Sequence, residues 1–147
     1  MTAPAASFPI FTRHPDSPPL APAREGGVAI ASAPVLYLGS STAFPLHGVF
    51  RVPKEDAGQF AGHLQDAVVV LLRGACRQTR SVGEGLLLFE DDLIDEGDWV
   101  RGYFNLDLFA HFGLEREPGR FWITASILGR VSPVVTVDVV PGRAPAP

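Results

Sequence analysis

Six carboxylates fall within nine residues in the run EDDLIDEGD: Glu90, Asp91, Asp92, Asp95, Glu96 and Asp98. They are the densest cluster of chemically capable side chains in the chain. A hard cation such as calcium takes roughly six to eight oxygen ligands, and a carboxylate-rich loop between strands supplies several of them. Asp91, Asp92, Asp95 and Asp98 are therefore candidate calcium ligands, in a loop that would suit a calcium- or carbohydrate-binding module. The spacing departs from the helix–loop–helix calcium pattern, and Leu93-Ile94 in its middle reads as strand. A basic partner is a second reading. The preferred one is a solvated acidic edge that keeps strands of different molecules from pairing. Removing these six charges from the formal net charge of −4 leaves the remainder at +2, so the acidity is local.

The remaining metal-competent residues are His14, His47, His63, His111 and Cys76. A blue-copper site needs two histidines, a cysteine and usually an axial methionine. The only methionine is Met1, and no histidine follows Cys76 within reach of a metal loop, so copper is not supported. A single cysteine also excludes an internal disulfide and a multi-cysteine zinc site, and Cys76 reads as a small apolar filler. Catalysis would need a nucleophile and a base in a recognisable motif. There is no G-x-S-x-G elbow, no H-E-x-x-H and no glycine-rich phosphate loop. Ser40-Ser41-Thr42 reads as turn chemistry. No catalytic residue is nominated, and calcium is the only cofactor that enters, as an alternative.

Recognition of another protein is the better-supported chemistry. In the stretch from Phe121 to Leu128, Phe121, Ile123, Ala125 and Ile127 alternate with Trp122, Thr124, Ser126 and Leu128, the period of two of a pleated strand. If the first set faces the core, Trp122 and Thr124 face outward, beside Val134 from the following strand. An exposed strand tryptophan is a typical anchor for association. Trp99 and Tyr103, opposite Val100 and Phe104, are expected to extend the same patch. Phe8 and Phe11, in a small apolar cluster near the start, are expected to dock on a partner or a second copy as an added strand.

These residues need elements to position them. Residues 1–26 carry six of the fourteen prolines and read as an extended, flexible arm. The stretch 27–141 reads as a β-domain, and 142–147 as a tail. Val28–Leu38 is a strand interrupted at Pro34, which suits an edge or a strand that changes sheets. Phe44–Val52 alternates, with Phe44, Leu46, Phe50 and Val52 inward and His47, Val49 and Arg51 outward. Gly48 on the inward face marks a bulge or the close approach of an aromatic. Ala67–Leu72 is apolar on both faces, as in a central strand covered on both sides. Cys76–Val82 is a polar edge strand and Gly85–Phe89 another candidate. Trp99–Leu108 alternates again, with Val100, Phe104, Leu106 and Leu108 inward. A single helical turn follows over Asp107–Leu114. After the turn Leu128–Val131, Val135, Val137 and Val139 face inward and Thr136 and Asp138 outward.

Seven or eight short strands at roughly ten-residue spacing predict an all-β, antiparallel β-sandwich, with a closed barrel as the alternative. The net negative charge argues against non-specific nucleic-acid binding, which needs clustered cations. No apolar run is long enough to span a bilayer, and the first residues lack the pattern of a secretory signal, so a cytoplasmic location is expected.

The segment Leu106-Asp-Leu108…Phe112-Gly-Leu114…Pro118-Gly-Arg-Phe121-Trp-Ile-Thr-Ala125 resembles a pattern common in immunoglobulin-like sandwiches, where it runs through a helical crossover into a core strand. It is similar to that part of bacterial intracellular proteinase-inhibitor domains and other accessory immunoglobulin-like modules. The likeness covers residues 104–140. It departs at Phe121, where the family usually has a tyrosine whose hydroxyl bonds back to the crossover. The resemblance implies the fold and, as an alternative function, protease inhibition through an exposed loop such as Gly129–Pro133. The chain reads as a non-enzymatic interaction or assembly module, able to self-associate through strand edges or the Trp122 face.

Overall fold

The period-two alternation is realised as strands in two sheets. The computed structural model describes residues 26–57, 67–74, 77–82 and 94–145. Among these run β1 (Gly27–Ala31), β2 (Val35–Tyr37), β3 (Pro45–Pro53), α1 (Lys54–Ala57), β4 (Val68–Arg73) and β5 (Arg77–Ser81). They are followed by β6 (Ile94–Asp95), β7 (Trp99–Asp107), α2 (Leu108–Phe112), β8 (Gly119–Ile127), β9 (Arg130–Val131) and β10 (Val135–Val140). One sheet has the order β1-β3-β7-β6. The other has the order β2-β10-β8-β4-β5, with β9 folding back on β8. The all-β class therefore holds. Ten strands replace seven or eight because β6 and β9 are two-residue pairings and Val28–Leu38 splits in two. The candidate strand Gly85–Phe89 lies outside the described residues.

That split is the sheet change expected at Pro34. β1 pairs antiparallel with β3 in one sheet, and β2 pairs parallel with β10 in the other. Pro34 has no N–H to give, but its carbonyl accepts from Asp138 N at 2.9 Å and opens the second ladder. The parallel β2–β10 pair departs from the wholly antiparallel expectation.

Both sheets contribute to one core. β3 supplies Leu46, Phe50 and Val52, and β7 supplies Val100, Phe104 and Leu106. β4 supplies Val68, Val70 and Leu72, β8 supplies Ile123, Ala125 and Ile127, and β10 supplies Val137 and Val139. Gly48 is where an aromatic comes close, since a Cβ there would stand 2.1 Å from the Phe104 ring. Phe44 is met edge-on by Phe109 and Phe121, each with its ring centroid 5.5 Å away. α2 is set by its ends. Asp107 Oδ1 accepts from Phe109 N at 3.1 Å and from Phe44 N at 2.9 Å, while Gly113 closes the helix in the left-handed region at φ 61°.

Two expectations about faces are corrected. His47 and Val49 alternate with the core residues as read, yet both are buried, as are their cross-strand partners Asn105 and Tyr103. A period of two fixes which way a side chain points and carries no information about what lies beyond it. β4 is the reverse case. It is central, between β8 and β5, but only Val68, Val70 and Leu72 are buried; Val69 and Leu71 are half-buried and Arg73 is exposed. Its second apolar face is open.

Candidate interaction surface

That open face of the six-stranded sheet carries the sequence-nominated cluster. Trp122 of β8 and Val134, just before β10, are 38% and 59% exposed. With Thr124, Leu71 and Arg73 they line a shallow groove of about 120 Å³. The register explains the grouping. Arg73 lies opposite Trp122 and Leu71 opposite Thr124 across β4 and β8, while Trp122 lies opposite Thr136 across β8 and β10.

Local chemistry holds Val134 at the groove. The β8–β9 turn is made by Leu128 and Gly129, with φ of 48° and 83°, the doubly left-handed geometry of a two-residue hairpin. Leu128 opens the turn, as read, and packs partly on the core instead of facing outward. The chain then returns through Ser132, which is buried. Its N–H donates to Ala125 O at 2.8 Å, and its Oγ accepts from Ala125 N at 2.9 Å. The hydroxyl stands in for a strand carbonyl just before Pro133, which cannot donate. The Gly129–Pro133 segment nominated as an inhibitory loop is a hydrogen-bonded return, with Val131 and Pro133 exposed and Ser132 buried.

The other nominated residues lie elsewhere. Trp99 and Tyr103 sit on β7, on the outer side of the four-stranded sheet, and do not extend the Trp122 patch. Tyr103 is buried, and the Arg51 guanidinium lies 4.4 Å above the Trp99 ring. Alternation assigns a face within one strand but not the sheet that strand joins, so it does not separate the two aromatic groups. Phe8 and Phe11 lie outside the described residues, as do His14, His63 and Cys76. His47 and His111 are buried.

Asp91 and Asp92 also lie outside the described residues. Asp95 and Asp98 are described, and Asp95 is committed to a lysine and a backbone amide of the protein itself. Its Oδ2 accepts from Lys54 Nζ at 2.6 Å and its Oδ1 from Gly97 N at 3.0 Å. The Lys54 bond, followed by that of Gly97, holds its carboxyl below the usual aspartate range. Glu96 Oε1 accepts from Arg51 Nε at 3.0 Å, and Arg101 Nε stands 3.7 Å from Oε2. Among the described residues no three metal-ligating side chains gather. The described acidic residues tie β6, β3 and β7 together.

Two arginines on the groove face were not nominated. Arg73 places its guanidinium 5.9 Å from the Trp122 ring centroid, and Arg77 of β5 is its cross-strand partner; both are exposed. The spacing Arg73-Gly-x-x-Arg77 carried the signal, since three connecting residues including a glycine read as a hairpin that sets its flanking residues opposite each other. Arg120, further along β8, donates to Asp138 Oδ1 at 2.6 Å, and that carboxylate raises its pKa above the ordinary arginine value.

Comparison with family models, with curated proteins and with solved structures found no match to this chain. Among the described residues, no helix is long and apolar enough to cross a membrane.

Proposed function

We propose that the chain is a non-enzymatic protein-binding module that uses the outer face of its six-stranded sheet, centred on Trp122. The observation that carries this is the exposed pair Trp122 and Val134 around a groove of about 120 Å³. Small-molecule and cofactor sites are usually enclosed spaces of roughly 300–1,000 Å³. A groove of this size accepts one aliphatic side chain from a partner surface, the arrangement of an interface hot spot.

The same proposal includes an immunoglobulin-like architecture. In that fold the strands lie in the order A-B-E-D in one sheet and G-F-C, extended by C′, in the other. Assigned in chain order, β1, β3, β7 and β6 supply the first set and β10, β8, β4 and β5 the second. The one-turn helix α2 falls between β7 and β8, where the resemblance puts the crossover. Phe121, in place of the family's tyrosine, packs on Phe44.

The test compares the wild-type chain with Trp122→Ser and Val134→Ser by thermal melting, by sedimentation for self-association and by quantitative native capture from an extract. Both positions are surface-exposed, so melting should move by no more than about 0.5 kcal/mol equivalent, while association drops. Association unchanged in both variants would remove the reading.

A further inference from the structure

We infer that the occupant of the Trp122 face is an acidic peptide segment of a partner protein, in which one aliphatic residue lies within two or three positions of a carboxylate. The inference rests on the preceding reading and adds the partner's chemistry.

Arg73 and Arg77 are the starting point. Their Cα atoms are register partners across β4 and β5, and both side chains are exposed on the groove face. Like charges set directly opposite on a sheet disfavour folding. Among the described residues no carboxylate pairs with either, and the one that the strand register places on this face, Asp138, is held by Arg120. An incoming carboxylate would relieve the repulsion and gain a forked guanidinium donor.

The row Arg77–Arg73–Trp122–Thr136 crosses four adjacent strands. Neighbouring strands stand about 4.8 Å apart, so the two cations lie roughly 5 and 10 Å along the row from Trp122. An extended peptide advances about 3.3 Å per residue, which sets the spacing of two or three positions between its aliphatic side chain and its carboxylates.

Charge also selects against other polyanions. Nucleic-acid binding draws affinity from many phosphate contacts. Here two cations with no carboxylate partner among the described residues sit on a chain of net charge −4. The described carboxylates outside this face include Glu55, Asp56, Asp95, Glu96 and Asp98, around α1 and β6.

The experiment uses the full chain and three fluorescein-labelled peptides of equal length: one leucine flanked by aspartates and glutamates, the same with lysines in place of the acids, and the acidic peptide with serine in place of leucine. Binding is read by fluorescence anisotropy at two salt concentrations, with phosphatidylserine vesicles and single-stranded DNA as competitors. The acidic leucine peptide should bind best and weaken with salt. The double variant R73E/R77E should lower its affinity by about tenfold or more and remove the salt dependence. Trp122→Ser should lower the affinity of every peptide that binds. Equal binding of the acidic and lysine peptides, unaffected by R73E/R77E, would overturn the acidic-partner inference and leave the binding face standing. Binding of no peptide would overturn the acidic-partner inference, and the face itself falls only if Trp122→Ser also leaves association unchanged in sedimentation and native capture. Displacement by vesicles or DNA at lower concentration than by unlabelled peptide would assign the two arginines to lipid or nucleic acid and overturn the inference.

Discussion

Gly48 shows how much one missing side chain can decide. It lies in the middle of β3 with its cross-strand partner Phe104 folded over it, and the ring occupies the space where any Cβ would stand. Cross-strand pairing of an aromatic over a glycine fills the core without a gap, because the ring covers backbone that would otherwise be poorly packed. Gly48→Ala must therefore displace a ring that is itself buried. We expect a loss of about 3 kcal/mol, at the upper end of overpacking effects, read from denaturant unfolding. Trimming the ring in the double variant G48A/F104L should recover a substantial part of it. Equal losses in the single and double variants would mean that backbone conformation, not the ring, sets the requirement. Arg116 is a second residue-scale device. Its guanidinium donates to the carbonyl oxygens of Leu38, Ser41 and Thr42 and lies 4.8 Å above the Phe109 ring, strapping the β2–β3 connection to the end of α2.

At the scale of elements, α2 is too short to be stable on its own, since nucleation of a helix is unfavourable and five residues propagate almost nothing. It is held by Asp107, which caps the helix and also accepts the Phe44 N–H, and by Leu108 N donating to Phe44 O at 2.8 Å. Asp107→Ala removes both carboxylate bonds and should lower stability by about 1–2 kcal/mol. Asp107→Asn, which keeps an acceptor, should recover most of that; a loss as large as that of alanine would point to the charge instead. This crossover was legible in the sequence because Asp107 and Gly113 are residue types that stop and start helices. The sheet change at Pro34 was one of two outcomes legible there, since a proline has no N–H to give a ladder and marks either an edge or a break. What could not be read was cover. Val49 and Leu71 both belong to alternating or apolar runs, yet the first is buried beyond its sheet and the second opens on a groove. That difference depends on which elements stack on which face, and the local pattern does not encode it. Arg73 and Arg77 are the opposite case, because their hairpin spacing alone sets them across from each other and the β4–β5 register agrees.

At the scale of the whole molecule, charge is distributed unevenly. Carboxylates gather where α1, β6 and β7 meet, and the open groove face carries arginines. Asp95 makes the first region sensitive to acid. Its carboxyl titrates below the ordinary aspartate value because Lys54 and Gly97 bond to it. A depressed native pKa contributes stability that is intact above the unfolded value of about 3.9 and disappears as pH falls through the native one. The melting difference between wild type and Asp95→Asn should therefore be present near about pH 7 and close toward about pH 2, both measured at low salt. A difference that persists at the acid end would show that the effect does not depend on the charge of the carboxylate. The side chain is exposed, so the effect is small. The strand that changes sheets has the larger consequence. Because β2 runs parallel to β10, the start of β2 and the end of β10 lie at opposite ends of one seam, joined by Asp138 N to Pro34 O and by Leu38 N to Val140 O, both at 2.9 Å. Tension applied between the two ends would pull these strands past each other along their length. The bonds would then share the load at once instead of opening one after another, so the seam between β2 and β10 is also the molecule's mechanical clasp.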